Sequence, residues 1–118
     1  RIWIFPDGDL PPAGEPGLPI EGHESLIVLN TGNTEAQIDI DVFFPDREPE
    51  AGLKVSVPAR RVRCFRLDQP LGDRGFQIPF GQYSLRLQSN VPVVAQIGRA
   101  DVRQPNLAYY TVMGYSTD

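Results

Sequence analysis

Short apolar segments separated by proline and glycine constrain this fold more than any other feature of the sequence. The 118 residues include 11 Gly and 12 Pro, a content that makes turns frequent and long helices improbable. Between the turns, apolar and polar residues alternate, as in residues 38–44 and 83–88. Such alternation is typical of strands that have one face in a core and the other in solvent. The pattern therefore predicts roughly eight short strands.

These segments predict an all-β protein, namely a single-domain antiparallel β-sandwich of the jelly-roll type that spans residues 1–118. A barrel built from the same strands is the alternative that the pattern leaves open. The first strand is predicted to end at Phe5. Residues 6–22, from Pro6 to Gly22, are rich in proline, glycine and acids, and they predict a long loop or arm.

Several features of the composition bear on where the chain acts. No apolar run approaches the roughly 20 residues that a membrane helix needs, and no segment resembles a signal peptide. Cys64 is the only cysteine, so an internal disulfide cannot form. A reducing setting is the simplest interpretation. We therefore expect a cytoplasmic protein that does not insert into a membrane.

Charge is distributed unevenly along the chain. Residues 1–50 carry 11 acids and 2 bases, a net charge of −9, whereas residues 51–118 carry 9 bases and 4 acids, a net charge of +5. Two halves of opposite sign can pair within one domain through interleaved strands, or across a subunit boundary. The total charge of −4 and the isoelectric point near 4.9 argue against a nucleic-acid partner.

The segment from Gln88 to Gln104 begins as a core strand and ends as a row of charges. Residues 91–97 alternate as a half-buried strand does, and the same face then continues into charged positions. We interpret the end of this segment as a surface that binds a polar ligand or partner. The alternative is that Arg99 and Asp101 tie a strand to a loop or one subunit to another. The residues predicted to bind here are Arg99, Asp101, Arg103 and Gln104.

Two other groups of polar residues are candidates for binding. His23 and Glu24 follow the predicted arm, and we expect them to join the same ligand or partner surface. A metal site that also uses Asp101 is the less favoured alternative, because structural zinc needs about four N or S ligands. A basic group near the middle of the chain is interpreted as an oligomer or partner contact that pairs with the acidic half of a neighbouring subunit: Arg60, Arg61 and Arg63.

No pattern in the sequence asks for catalysis. A recognisable nucleophile–base arrangement, a phosphate-binding loop and a cluster of metal ligands are all missing from the sequence, and His23 is its only histidine. We therefore predict a protein that is not an enzyme and that has no catalytic residues, no metal site and no cofactor.

The order and spacing of several short motifs make the sequence resemble a known family. The motifs are Pro11-Pro12, His23-Glu24, Asp46 to Pro49, Val57 to Arg61, Gln88 to Pro92, and Gln96 followed by Arg99 to Gln104. In these motifs, and over residues 3–115 as a whole, the chain resembles the soluble sensory rhodopsin transducer family. The resemblance implies a cytoplasmic antiparallel β-sandwich that assembles into a homotetramer.

Two hypotheses about function follow from this resemblance. In the first, the chain is a non-enzymatic signalling adaptor that contacts a membrane photoreceptor or another protein. In the second, it is a carbohydrate-binding module or sugar-responsive regulator that uses a polar site near Arg99 and Asp101. A concave site with an exposed aromatic residue beside Arg99 would favour the second hypothesis, and a flat charged assembly face would favour the first.

Overall fold

Two antiparallel sheets packed face to face make up the fold of the residues that the computed structural model describes, which are 1–11, 14, 22–101 and 108–117. The strands are β1 (Ile2–Leu10), β2 (His23–Asn30), β3 (Ala36–Phe43), β4 (Glu50–Val57), β5 (Arg61–Arg66), β6 (Gly81–Ser89), β7 (Val94–Asp101), β8 (Ala108–Met113) and β9 (Tyr115–Thr117). Sheet A has the order β4-β3-β6-β1-β9, and sheet B has the order β5-β2-β7-β8. The predicted all-β antiparallel sandwich is confirmed.

The core lies between the inner faces of the two sheets. In β3, Ile38, Ile40 and Val42 are buried while the alternate residues Gln37 and Asp39 are exposed, as the alternating sequence predicts. Strands from both sheets contribute the other central apolar side chains, among them Leu26, Val28, Leu53, Leu85, Leu87, Ala95 and Ile97. Removing this apolar surface from water is the main driving force for closing the sandwich. The described residues contain no helix able to cross a membrane.

The first strand is longer than predicted, and the prediction that a loop begins at Pro6 is wrong. β1 continues to Leu10 and pairs with β6 on both sides of the proline, with a register shift between Phe5 and Gly8. On its other side β1 pairs with β9 only as far as Ile4. The absent N–H of Pro6 therefore falls at a bulge, in a part of β1 that pairs with no other described strand on this side, and proline is tolerated at such positions. Residues 12, 13 and 15–21 of the predicted arm lie outside the described residues.

The alternation of residues 107–115 predicts a single last strand, but the structure divides this region between the two sheets. β8 pairs with β7 in sheet B, whereas β9 pairs with β1 in sheet A. Gly114 lies at the crossing, where an added Cβ would be 2.6 Å from the Phe5 ring and 2.8 Å from the Ile4 carbonyl oxygen. No larger residue fits this approach, so glycine allows the chain to change sheets here.

Surface ion pairs join the acidic and the basic halves of the chain. Three of them link residues of adjacent elements: Lys54 to Asp39 at 2.9 Å, Arg86 to Asp41 at 2.6 Å, and Arg74 to Glu50 at 3.0 Å. In each pair the acid belongs to residues 1–50 and the base to residues 51–118. This confirms that interleaved strands bring the two halves together within one chain.

Candidate functional site

A buried polar cluster connects the two sheets at one end of the sandwich. Glu24, at the start of β2, is 0% exposed. One of its carboxylate oxygens accepts a hydrogen bond from the Tyr83 hydroxyl at 2.6 Å and another from the backbone N–H of Asp9 at 3.1 Å. The other oxygen accepts from Nε of Arg99 at 2.5 Å, and Arg99 Nη2 donates to the Asp7 carbonyl at 3.2 Å. We call Glu24, Tyr83 and Arg99 the inter-sheet cluster.

Strand register and one glycine bring these side chains together. Glu24 on β2 lies opposite Arg99 on β7 in sheet B. Tyr83 reaches them from β6 in sheet A, where it lies opposite Gly8. An added Cβ at Gly8 would be 2.5 Å from the Tyr83 ring, so only glycine lets the ring lie across β1. The cluster thus depends on β1 continuing past the bulge.

The electrostatics of the inter-sheet cluster follow from its burial. Opposite charges attract strongly where water is excluded, but the pair is tolerated only when its remaining hydrogen-bonding groups are also satisfied. Within the described residues, no buried side-chain nitrogen or oxygen lacks a partner. Burial raises the pKa of Tyr83 far above its ordinary value of 10.0, and the adjacent Glu24 carboxylate raises it further. The phenol therefore remains a hydrogen-bond donor at every pH near neutral.

The predicted binding residues are divided between two faces of sheet B. Arg99 continues the core row of β7 as the alternation predicts, but its side chain is only 11% exposed, because it enters the sandwich and pairs with Glu24. His23 precedes Glu24 in the same strand, so its side chain is directed to the outer face. The side chain of Asp101, and all of Arg103 and Gln104, lie outside the described residues.

This placement bears on the metal and carbohydrate hypotheses. Because His23 and Glu24 are directed to opposite faces, their side chains do not converge on one ion. In the described part of the chain, no group of three histidine, cysteine, aspartate or glutamate residues could hold a metal. Tyr83, the aromatic residue of the inter-sheet cluster, is 1% exposed and Arg99 is 9% exposed, so neither of these two residues offers an open surface for a sugar ring.

Sequence reasoning missed Tyr83 and Gly8, and it misjudged the environment of Glu24. A signal was present in the sequence, because Glu24 lies two residues before Leu26 and four before Val28, both of which are core residues. Residues at this spacing in a strand share a face, so the carboxylate lies inside the sandwich. The contact with Tyr83, 59 residues further along the chain, has no local signature.

The outer faces of the two sheets differ in character. Most side chains on the outer face of sheet A are polar or charged, including Gln37, Asp39, Lys54, Arg86 and Gln88, and an exposed aromatic residue, Tyr115, lies at its β9 edge. On the outer face of sheet B, register places Val62 opposite Leu29 and Leu29 opposite Val94. These three side chains, which we call the apolar row, are 60%, 39% and 49% exposed, respectively. An aligned apolar surface of this kind is typical of a protein contact.

The basic group predicted to make contacts lies at the turn before β5 and on β5 itself. Arg60, Arg61 and Arg63 are all exposed. Arg60 has a φ of 61°, a left-handed conformation that costs a residue other than glycine about 1–2 kcal/mol. The Arg63 guanidinium lies 4.7 Å from the centre of the Phe65 ring, and it donates to the Ser56 carbonyl at 2.7 Å.

Comparisons with known proteins place this β-sandwich among signal transducers. The sequence model of the family described as Anabaena sensory rhodopsin transducer matches residues 1–116. The chain therefore belongs to the Anabaena sensory rhodopsin transducer family, which confirms the resemblance seen in the sequence motifs. Among curated protein sequences, none matches the chain.

Two solved structures show the same fold along most of the chain. The crystal structure of Thermotoga maritima 1070 is 35% identical, with a TM-score of 0.81, and the match covers 98% of this chain and 92% of that one. The Anabaena sensory rhodopsin transducer is also 35% identical, with a TM-score of 0.72, and the match covers 86% of this chain and 89% of that one.

Removing one partner of the buried ion pair should destabilise the fold strongly. The Arg99→Met variant keeps an unbranched side chain but leaves the Glu24 carboxylate buried without its cation. We expect a loss of about 3–5 kcal/mol in the free energy of unfolding, measured by urea denaturation. Lys54→Met, which breaks the exposed pair with Asp39, is the matched control and should cost at most about 1 kcal/mol. Equal losses in the two variants would contradict the importance of burial.

The raised pKa of Tyr83 predicts a specific loss of stability in alkali. Above pH 10 the unfolded chain releases the phenolic proton while the folded chain retains it, so the free energy of unfolding falls as pH rises. The wild type should lose about 1.4 kcal/mol per pH unit more than Tyr83→Phe does. Urea denaturation at a series of pH values above 10 measures both slopes. Parallel slopes would show that Tyr83 ionises normally in the folded state.

Proposed function

We propose that this chain is a signalling adaptor that acts through protein–protein contacts, as a homo-oligomer and without catalysis. The observation that carries the proposal is the difference between the outer faces of the two sheets. Strands β3, β4 and β6 of sheet A carry the charged outer surface expected of a face in water, whereas three adjacent strands of sheet B carry the apolar row. The family resemblance supports a homotetramer as the assembly.

The outer face of sheet B has the composition of a contact surface. Ile27 lies half-buried beside the apolar row. Polar groups border this region, among them Gln96 and Thr111. An apolar centre with a polar rim is the usual arrangement in protein interfaces, and each partner of a stable one buries about 800 Å².

The proposed partner is the cytoplasmic side of a membrane photoreceptor. The name of one structural relative, the Anabaena sensory rhodopsin transducer, supports this choice. We propose that the contact involves the end of the sandwich around His23, with Asp101, Arg103 and Gln104, which follow Arg99 in the sequence. The inter-sheet cluster beneath this end holds the neighbouring strands in a fixed arrangement.

Self-association through sheet B predicts that one charge in the apolar row disrupts the oligomer. Leu29→Glu places a carboxylate at the middle of the row, where an interface would have to desolvate it. Sedimentation velocity of the wild type should show an oligomer, and the variant should sediment as a smaller species. Gln88→Glu, on the outer face of sheet A, is the matched control and should leave the assembly unchanged. A monomeric wild type would overturn the proposed assembly.

Binding to a photoreceptor can be measured directly. The probe is the sensory rhodopsin of Anabaena in lipid nanodiscs, titrated with this protein in a calorimeter, with empty nanodiscs as the control. We expect heat of binding that saturates only when the rhodopsin is present. Charge reversal by Arg103→Glu should weaken the interaction, because a rim charge contributes to docking. Equal heats with empty nanodiscs would contradict the proposed partner.

A further inference from the structure

β5 is an edge strand whose outer side can accept another strand. Among the described strands it ends the order of sheet B and pairs with β2 only. The Leu67 N–H donates to the Glu24 carbonyl at 2.8 Å and continues this pairing. Since the backbone groups of an antiparallel strand alternate in direction, those of Phe65 and Arg63 face β2. The N–H and C=O groups of Val62 and Cys64 then face away from the sheet. Such an edge is a template for strand addition.

A groove runs beside this edge, between β5 of sheet B and β4 of sheet A. Its volume is about 460 Å³, and the loop after β5 borders it on one side. Ser56 of β4, Phe65 of β5 and Leu71 of the loop are among the residues that line it. The groove gives an added strand room for the side chains that it directs toward the sandwich.

The arginines at this edge have no acidic partner in the part of the chain that the structure describes. Arg60, Arg61 and Arg63 make no ion pair with any carboxylate of the described residues. Arg61 and Arg63 instead donate to backbone carbonyls. Five other bases in the described ranges do have a carboxylate partner: Arg47, Lys54, Arg66, Arg74 and Arg86. In a chain of net charge −4, these three arginines without a carboxylate partner among the described residues are thus gathered at one turn and one edge strand.

We propose that an acidic, extended segment of another protein binds by adding a strand to β5. Its backbone pairs with the outward groups of Val62 and Cys64. Because residues opposite each other in a sheet share a face, acids at every second position face Arg61 and Arg63. The intervening apolar residues lie beside Val62 and continue the apolar row. This inference rests on the proposed adaptor role only because both assume a protein partner, and the inference specifies the chemistry of that partner.

A second copy of the chain fits this edge less well than an acidic partner does. Pairing β5 with the same strand of another copy would bring two rows of arginine together, which repel one another. The acids that the described strands β3 and β4 could offer, Asp39, Asp41 and Glu50, are already paired with bases. Arginines on an edge strand also discourage unwanted self-pairing.

The test uses a fluorescein-labelled peptide of four Glu-Val repeats, with binding followed by fluorescence polarisation. The control peptide has the same composition in blocks, with all Glu before all Val, so that it lacks the alternation. We expect saturable binding of the alternating peptide only. The double variant Arg61→Gln/Arg63→Gln should bind at least about tenfold more weakly, since it loses two charge-assisted contacts. Arg47→Gln, which removes an exposed arginine elsewhere, should bind as the wild type does.

A second measurement tests the geometry. Strand addition predicts that the backbone amides of Val62 and Cys64 become protected from hydrogen exchange when the peptide is added. Equal binding of both peptides, unchanged exchange at these amides, or full affinity in the double variant would each overturn the proposal. A smaller oligomer in the double variant without peptide would also overturn it, by assigning the edge to contacts between copies. None of these results changes the outcome expected for Leu29→Glu or for the nanodisc titration, so the two proposals fail separately.

Discussion

The buried ion pair between Glu24 and Arg99 is the constraint on which the arrangement of both sheets depends. A carboxylate that is 0% exposed needs its cation and its hydrogen-bond donors at fixed distances, because an uncompensated buried charge is costly. The pair therefore favours one register of β2 on β7. Through Tyr83 and the backbone of Asp9, it also holds sheet A against sheet B. The bulge at Pro6 and the glycine at position 8 are needed for the same cluster, because β1 continues past the bulge and Gly8 lets the Tyr83 ring lie across it.

Because the inter-sheet cluster is closed, the function of the protein depends on its surface. A carboxylate and a guanidinium that satisfy each other inside the sandwich have little capacity left for an outside ligand. Two surfaces of sheet B differ from each other in character: its outer face carries the apolar row, and the edge of β5 carries arginines that have no acidic partner among the described residues. Our proposals assign the first surface to self-association and the second to an acidic partner segment. Both are surfaces that recognise shape and charge, as an adaptor requires.

Most of the fold could be predicted because the strands with one buried face have a clear period of two. Ile38, Ile40 and Val42 follow that period, and the structure buries all three. The prediction failed at Pro6, since a proline within a strand usually marks its end, and only pairing with β6 shows that a bulge accommodates it. It also failed to divide the last strand, because the crossing at Gly114 depends on the position of the Phe5 ring.

In the candidate site, the alternation of residues along each strand predicts which face a side chain occupies but not which side chains meet. Side chains alternate between the two faces of a strand, so the order of residues in β2 and β7 is enough to determine that Glu24 and Arg99 lie on core faces. Tertiary structure decided that they meet each other, that Tyr83 completes the cluster, and that Arg60, Arg61 and Arg63 have no acidic partner among the described residues. Those facts depend on which strands become neighbours, and strand order follows from packing two whole sheets together, which no short stretch of sequence encodes.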